Sequence, residues 1–293
     1  MRAPLTKLAR PSGALAMVAV DQREALRGMF AAHQSTPVPD SQLTQFKVDV
    51  ARELSPYASA LLVDQEFGID EIIKQKALKG SCGLIAAADL LVGPAGGAAT
   101  DTAIDPDVDP CRMRDIGSVG LKFLILWRND ESPDSRAKLV EDFNELCKIS
   151  GLPSIIEIIV KPPTDTSRTF NREEELIIAA REAASWKPDL YKAEVPFHGE
   201  GDLNLVTKNA ERISEAIGSP WVVLSNGVKQ PFFNDAVKAC AMGGASGFLA
   251  GRAVWADIVG AGDIPKALRE LSIPRLEQLA EIVDTHAKPW TSW

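Results

Sequence analysis

The sequence predicts an α/β fold of the (β/α)8 type, a TIM barrel, built as a single domain over residues 1–293. Three observations carry that expectation. Eight short apolar runs recur along the chain, spaced so that a helix fits between successive runs. Most of the runs are continuously apolar rather than alternating, as strands covered on both faces of a parallel sheet must be. Finally, no shift in composition marks a linker, and no self-similar period of roughly 20–50 residues is visible. A doubly wound sheet is the structural rival.

In order, the predicted strands are 15–20, 60–63, 83–87, 121–127, 154–160, 190–195, 221–224 and 247–250. Helical patterns fall between them. The segment 41–54 starts at an Asp40 or Ser41 cap, and 135–150 ends at Gly151. Segments 172–184 and 204–217 are amphipathic. The stretch 93–110 holds Gly-Gly, two Asp-Pro steps and few large apolar residues. It is expected to be a long loop or small excursion on the top face of the barrel.

Composition narrows the function classes. With 45% hydrophobic and 25% charged residues the chain is globular, so disordered and fibrous folds are excluded. Its 32 basic and 40 acidic residues give a net charge of −8, without the basic footprint that nucleic-acid binding requires. Any anion must therefore be gripped locally. No apolar run approaches the roughly 20 residues of a membrane span, and residues 1–10 lack the apolar core of a signal peptide. A cytoplasmic protein is expected, with neither nucleic acid nor membrane as partner. Cys82, Cys111, Cys147, Cys240, His33, His198 and His286 show no metal-ligand spacing, so no metal is expected and the thiols read as scattered and free.

Catalytic groups of such a barrel sit where strands end at its C-terminal face. The first strand ends in Asp21-Gln22-Arg23, the second in Asp64-Gln65-Glu66. In Asp189-Leu190-Tyr191-Lys192-Ala193-Glu194-Val195 the period of two puts Leu190, Lys192 and Glu194 on one face. Tyr191, Ala193 and Val195 then pack on the helices, and Lys192 points into the barrel. A lysine is almost never fully buried unpaired. The plainer reading is an ion pair with Glu194 or Glu157; the sharper one is an amine that attacks a ketone. A second cation, Lys122 in the fourth strand, would favour the neutral amine, and Glu157 lies on the strand between them. Together they form a proton-handling cluster.

An anion site is expected where Ser225-Asn226-Gly227 and Gly251-Arg252 follow the seventh and eighth strands. Ser225, Gly227 and Gly251 supply small polar groups and N–H donors, and Arg252 a charge; the plainer reading makes the glycines tight turns. Gln22 and Arg23 are candidates for a second anion, although Arg23 also fits a solvated helix start. His198 reads as a loop residue, 172–175 as a solvated helix start, and Gly96-Gly97 lacks nucleotide-loop spacing.

The segments ALAMVAVDQREALRGMF, FKVDVARELSPYASALLVDQEF, LKFLILWRND, DLYKAEVP, WVVLSNGV and GASGFLAGRAVWADIVG span nearly the whole chain. On them the sequence resembles the class I aldolases of the tagatose-1,6-bisphosphate aldolase family, and within it the branch that cleaves 6-deoxy-6-sulfofructose 1-phosphate. The resemblance implies a cofactor-free retro-aldol reaction yielding dihydroxyacetone phosphate and 3-sulfolactaldehyde. Lys192 matches the Schiff-base lysine, Lys122 the strand-four lysine, Glu157 the acid/base and Asp21 the strand-one aspartate. The partner is then a small sugar phosphate or sulfonate, and the chain is expected to form a homo-oligomer. Lys161-Pro162-Pro163 and 164–168 depart from the basic stretch expected after strand five. The rivals are a tagatose or fructose bisphosphate aldolase and a sugar-phosphate-binding regulatory barrel.

Overall fold

The computed structural model describes residues 3–94 and 99–293; Gly96-Gly97 and the first two residues of the amino-terminal segment lie outside them. Eight parallel strands close into a barrel in the order β1-β8-β7-β6-β5-β4-β3-β2. They are β1 (Leu15–Ala19), β2 (Ala60–Val63), β3 (Gly83–Ala87), β4 (Ser118–Trp127), β5 (Ser154–Val160), β6 (Leu190–Glu194), β7 (Trp221–Leu224) and β8 (Gly247–Ala250). The helices are α1 (Glu24–Ala31), α2 (Asp40–Leu54), α3 (Asp70–Lys74), α4 (Pro110–Asp115), α5 (Pro133–Ser150), α6 (Arg172–Trp186), α7 (Leu203–Ile217), α8 (Gln230–Met242), α9 (Arg252–Trp255), α10 (Ile264–Ala267) and α11 (Ile273–His286).

Period-two alternation divides each strand between two cores. Inward residues such as Met17, Leu62, Ile85, Ile155, Leu190, Val222 and Leu249 fill the barrel, with Leu5 and Leu8 beneath them. Outward residues, among them Val18, Leu61, Tyr191, Ala193 and Val223, join the larger layer under the helices. On α7 the buried positions are Val206, Ala210, Ile213 and Ile217, one stripe at helical spacing. The ring closes where Leu15–Val18 pair with Gly247–Ala250. A Cβ on Gly247 would lie 1.9 Å from the Leu15 carbonyl oxygen, so only glycine permits this approach.

Local chemistry sets the helix ends. α5 starts with Ser132 accepting from the Asp134 N–H and Pro133 in the first turn, and stops at Gly151 in the left-handed region. α7 runs from an Asp202 cap to Gly218. α2 departs from expectation: it includes Asp40, and Pro39 precedes it without a side-chain cap.

Two further differences bear on the site. β4 begins at Ser118 rather than 121, because Ser118 and Gly120 extend the ladder without apolar side chains. The stretch expected as a loop contains strand: Asp89–Val92 pairs antiparallel with Asp101–Ile104. Leu90 and Val92 are exposed there and Asp101 and Thr102 are polar, so no apolar run betrays the hairpin. Among the described residues no helix is long and apolar enough to cross a membrane. The four cysteines are free thiols, with Cys111 exposed and the other three buried.

Candidate active site

Strand register brings the predicted charges together. Glu157 of β5 stands opposite Lys192 of β6 and Leu124 of β4. Lys122 lies opposite Ala87 of β3, one step before the Ala88-Asp89 turn into the hairpin. Lys122 is 1% exposed, Lys192 3%, Glu157 5% and Asp21 6%, so the cluster is essentially desolvated.

The ammonium of Lys122 touches three carboxylates. It donates to Asp21 at 2.8 Å and to Asp89 at 2.9 Å, and lies 2.9 Å from Glu157 Oε2. The same Oε2 accepts from Lys192 Nζ at 2.8 Å. One carboxylate oxygen thus bridges both lysines. Burial pulls the Lys122 ammonium down, but Asp21, Asp89 and Glu157 outweigh it and hold the group well above its usual range. Lys122 is a fixed cation. Burial likewise pushes the carboxyls of Asp21 and Glu157 up, and the two lysines reverse this, keeping both below their usual range. Glu194, the other pairing candidate for Lys192, is used elsewhere: it accepts from the Val160 N–H at 2.8 Å and lies 3.3 Å from Arg172.

The depressed carboxyls make stability pH-dependent. Their contribution is complete above the unfolded carboxylate range near pH 4 and is lost as pH falls through the lower folded values. The melting temperature should therefore drop steeply below about pH 4, and Glu157→Gln should melt lower at neutral pH but with a shallower acid slope. Equal slopes in the two proteins would contradict this assignment of charge.

The cluster forms the floor of a cleft on the C-terminal face. Asp21, Gln22, Lys161, Ser225, Asn226, Gly251 and Arg252 rise around it, with Leu124 and Leu126 as apolar wall. Ser225 Oγ accepts from the Gly251 N–H at 3.3 Å, and Arg252 donates to the Asn226 side chain. Among the described residues no carboxylate pairs with Lys161 or Arg252, in contrast to Lys122 and Lys192.

Three expectations need correction. Arg23 is 5% exposed, so it is not a solvated helix start. It also leaves the main cleft, because its guanidinium turns toward Asp89, Asp64 and Glu66. Gly227 is not part of the cleft wall either; the imidazole of His198 packs on it, 2.5 Å from where a Cβ would stand. The segment 172–175 is more than solvated helix start, since Glu175 is buried and accepts from Asn129 while Arg172 reaches Glu194. Sequence reasoning missed Asp89 and Lys47, both 0% exposed. A signal for Asp89 existed in its place just beyond the third apolar run; Lys47 on α2 carried none.

Residues 15–257 match the family model described as DeoC/LacD family aldolase. The chain is 28% identical to a tagatose 1,6-diphosphate aldolase of Streptococcus pneumoniae over 99% of this chain and 97% of that protein. It is 29% identical to a tagatose 1,6-diphosphate aldolase 2 of Streptococcus pyogenes over 95% and 93%. Among solved structures, a Schiff-base-forming fructose-1,6-bisphosphate aldolase superposes with a TM-score of 0.62 at 14% identity, covering 95% of this chain and 98% of the other. A fructose-bisphosphate aldolase from Slackia heliotrinireducens gives 0.68 at 17%, covering 98% and 86%. These structural likenesses establish a shared barrel.

Proposed function

We propose that this chain, which belongs to the DeoC/LacD family of aldolases and is thus a lyase, works through a Schiff base on Lys192 and cleaves 6-deoxy-6-sulfofructose 1-phosphate to dihydroxyacetone phosphate and 3-sulfolactaldehyde. The observation that carries the mechanism is the single Glu157 oxygen shared by a fixed cation and a second buried lysine.

That geometry supports a complete cycle. Glu157 takes a proton from Lys192, whose neutral amine adds to the C2 ketone; Glu157 returns that proton to the departing hydroxyl, so water leaves, an iminium remains and the carboxylate is restored. A base, assigned to Glu157, removes the C4 hydroxyl proton. The C3–C4 bond then breaks, its electron pair moves into the iminium, and the aldehyde departs. Protonation of the resulting enamine at C3 and hydrolysis release dihydroxyacetone phosphate and restore the amine. Lys122 keeps its proton throughout and steadies Asp21, Asp89 and Glu157 as charge moves past them.

The sulfosugar assignment rests on the resemblance and on the charge of the cleft. A ketose with an anion at each end suits walls whose carboxylate-free cations, among the described residues, are Lys161 and Arg252. Ser225, Gly251 and Arg252 are assigned to the phosphate. Gln22 and Lys161 remain for the distal group, and one cation with one amide matches a singly charged sulfonate better than a phosphate approaching two charges. The names of the curated relatives favour a second reading, tagatose 1,6-bisphosphate as substrate. Product analysis on both sugars decides: the sulfosugar should show at least about tenfold higher kcat/KM, and the reverse preference would favour the bisphosphate.

Charged hydrogen bonds contribute about 1.5–3 kcal/mol, or roughly ten- to a hundredfold in affinity. Arg252→Ala should accordingly weaken the sulfosugar and dihydroxyacetone phosphate alike by that factor, read as KM and as product inhibition. Unchanged affinity for dihydroxyacetone phosphate would move its phosphate elsewhere.

A further inference from the structure

We infer that Arg23 is a positioning residue whose buried charge, passed through Asp89 and Lys122, sets the proton affinity of the reacting amine; this rests on the assignment of Lys192 above.

Arg23 Nη2 donates to the Asp89 carbonyl at 2.7 Å, and Nη1 lies 3.5 Å from Asp89 Oδ1. The other oxygen of Asp89 accepts from Lys122 and from the Leu124 N–H. Asp89 is thus held between two cations, and Lys122 hands the alternation on through Glu157 to Lys192. On its far side Arg23 Nε lies 3.9 Å from Asp64 Oδ1. Asp64 also pairs with Lys47, whose ammonium donates to the carbonyls of Val20 and Gln22 at 2.7 Å each. Those carbonyls flank Asp21. One chain of alternating charge therefore runs from α2 through the end of β1 to the floor of the cleft.

Along this chain the cations Lys47, Arg23, Lys122 and Lys192 face Asp64, Asp89, Asp21 and Glu157, all buried, and Arg23 is also faced by buried Asp105 and by the more exposed Glu66. A buried guanidinium is a costly way to stabilise a fold, because its desolvation offsets most of its Coulombic gain. Here Nε and Nη1 are buried without a well-aligned acceptor, so the bonds alone do not account for it. What Arg23 supplies is a positive charge that offsets Asp89. Without it the net charge of the cluster becomes one unit more negative.

The consequence has a definite sign. Lys192 is faced by Glu157 from β5, Lys122 from β4 and Asp21 beyond β1. Lys161 and Arg252 stand at the mouth of the cleft, and Glu194 on its own strand is tied to Arg172. A more negative net charge among these groups favours the ammonium over the amine. The acid limb of kcat/KM, below which the amine is protonated, must then move to higher pH.

The experiment compares wild type, Arg23→Gln and Arg23→Lys by the pH dependence of kcat/KM and of borohydride trapping with dihydroxyacetone phosphate. In Arg23→Gln the limb should rise by about one pH unit, the scale on which a nearby unit charge moves a buried titrating group. Arg23→Lys retains the charge and should leave the limb in place while losing some turnover. A folded Arg23→Gln with an unmoved limb overturns the inference, as does selective loss of sulfosugar affinity without a shift, which would make Arg23 a ligand. If Arg23→Gln does not fold, Lys47→Gln decides: an upward shift supports the proposal and an unmoved limb overturns it. Failure of wild type to form an adduct at Lys192 would instead overturn the Schiff-base reading beneath it.

Discussion

Lys192→Ala should lose cleavage by at least about 10⁴-fold, since removing the nucleophile of a covalent mechanism leaves only binding and electrostatics to act. The fold should survive the change. Glu157, relieved of Lys192, still lies 2.9 Å from Lys122, so no carboxylate is stranded without a cation. Affinity for dihydroxyacetone phosphate should persist, because its phosphate is assigned to Ser225, Gly251 and Arg252. Steady-state kinetics with a binding assay would separate the two effects. Turnover within tenfold of wild type would place the chemistry on another group.

Glu157→Gln should lower kcat by about 10²–10⁴-fold with KM changed little, the range for a lost general acid–base. The amide keeps the shape of the carboxylate but cannot take the amine proton. Lys122 remains paired with Asp21 and Asp89, so the effect falls on proton transfer rather than on the cation. Turnover within a factor of two of wild type would pass the role to Asp21. Glu194 is the poorer substitute, because the Val160 N–H and Arg172 already occupy it.

The parts of this site legible in the sequence are those that strand periodicity governs. A lysine amid apolar residues at period two must point inward, and Lys122, Glu157 and Lys192 do so because β4, β5 and β6 are neighbours in register. Long side chains beyond strand ends escape that logic. Position places Arg23 after β1 but does not say which way its guanidinium turns; the buried carboxylates of Asp64 and Asp89, with exposed Glu66 beside them, decide it. Lys47 looks like any solvated helix lysine; only the seating of α2 against the ends of β1 and β2 buries it. Asp89 was hidden by the hairpin it begins, whose exposed and polar positions read as loop.

The most direct test of the central claim is borohydride reduction in the presence of dihydroxyacetone phosphate, followed by peptide mapping. One reduced adduct is expected, on the peptide containing Lys192, absent without the ketone and undiminished by chelators. An adduct confined to another lysine, or none while cleavage proceeds, would contradict it.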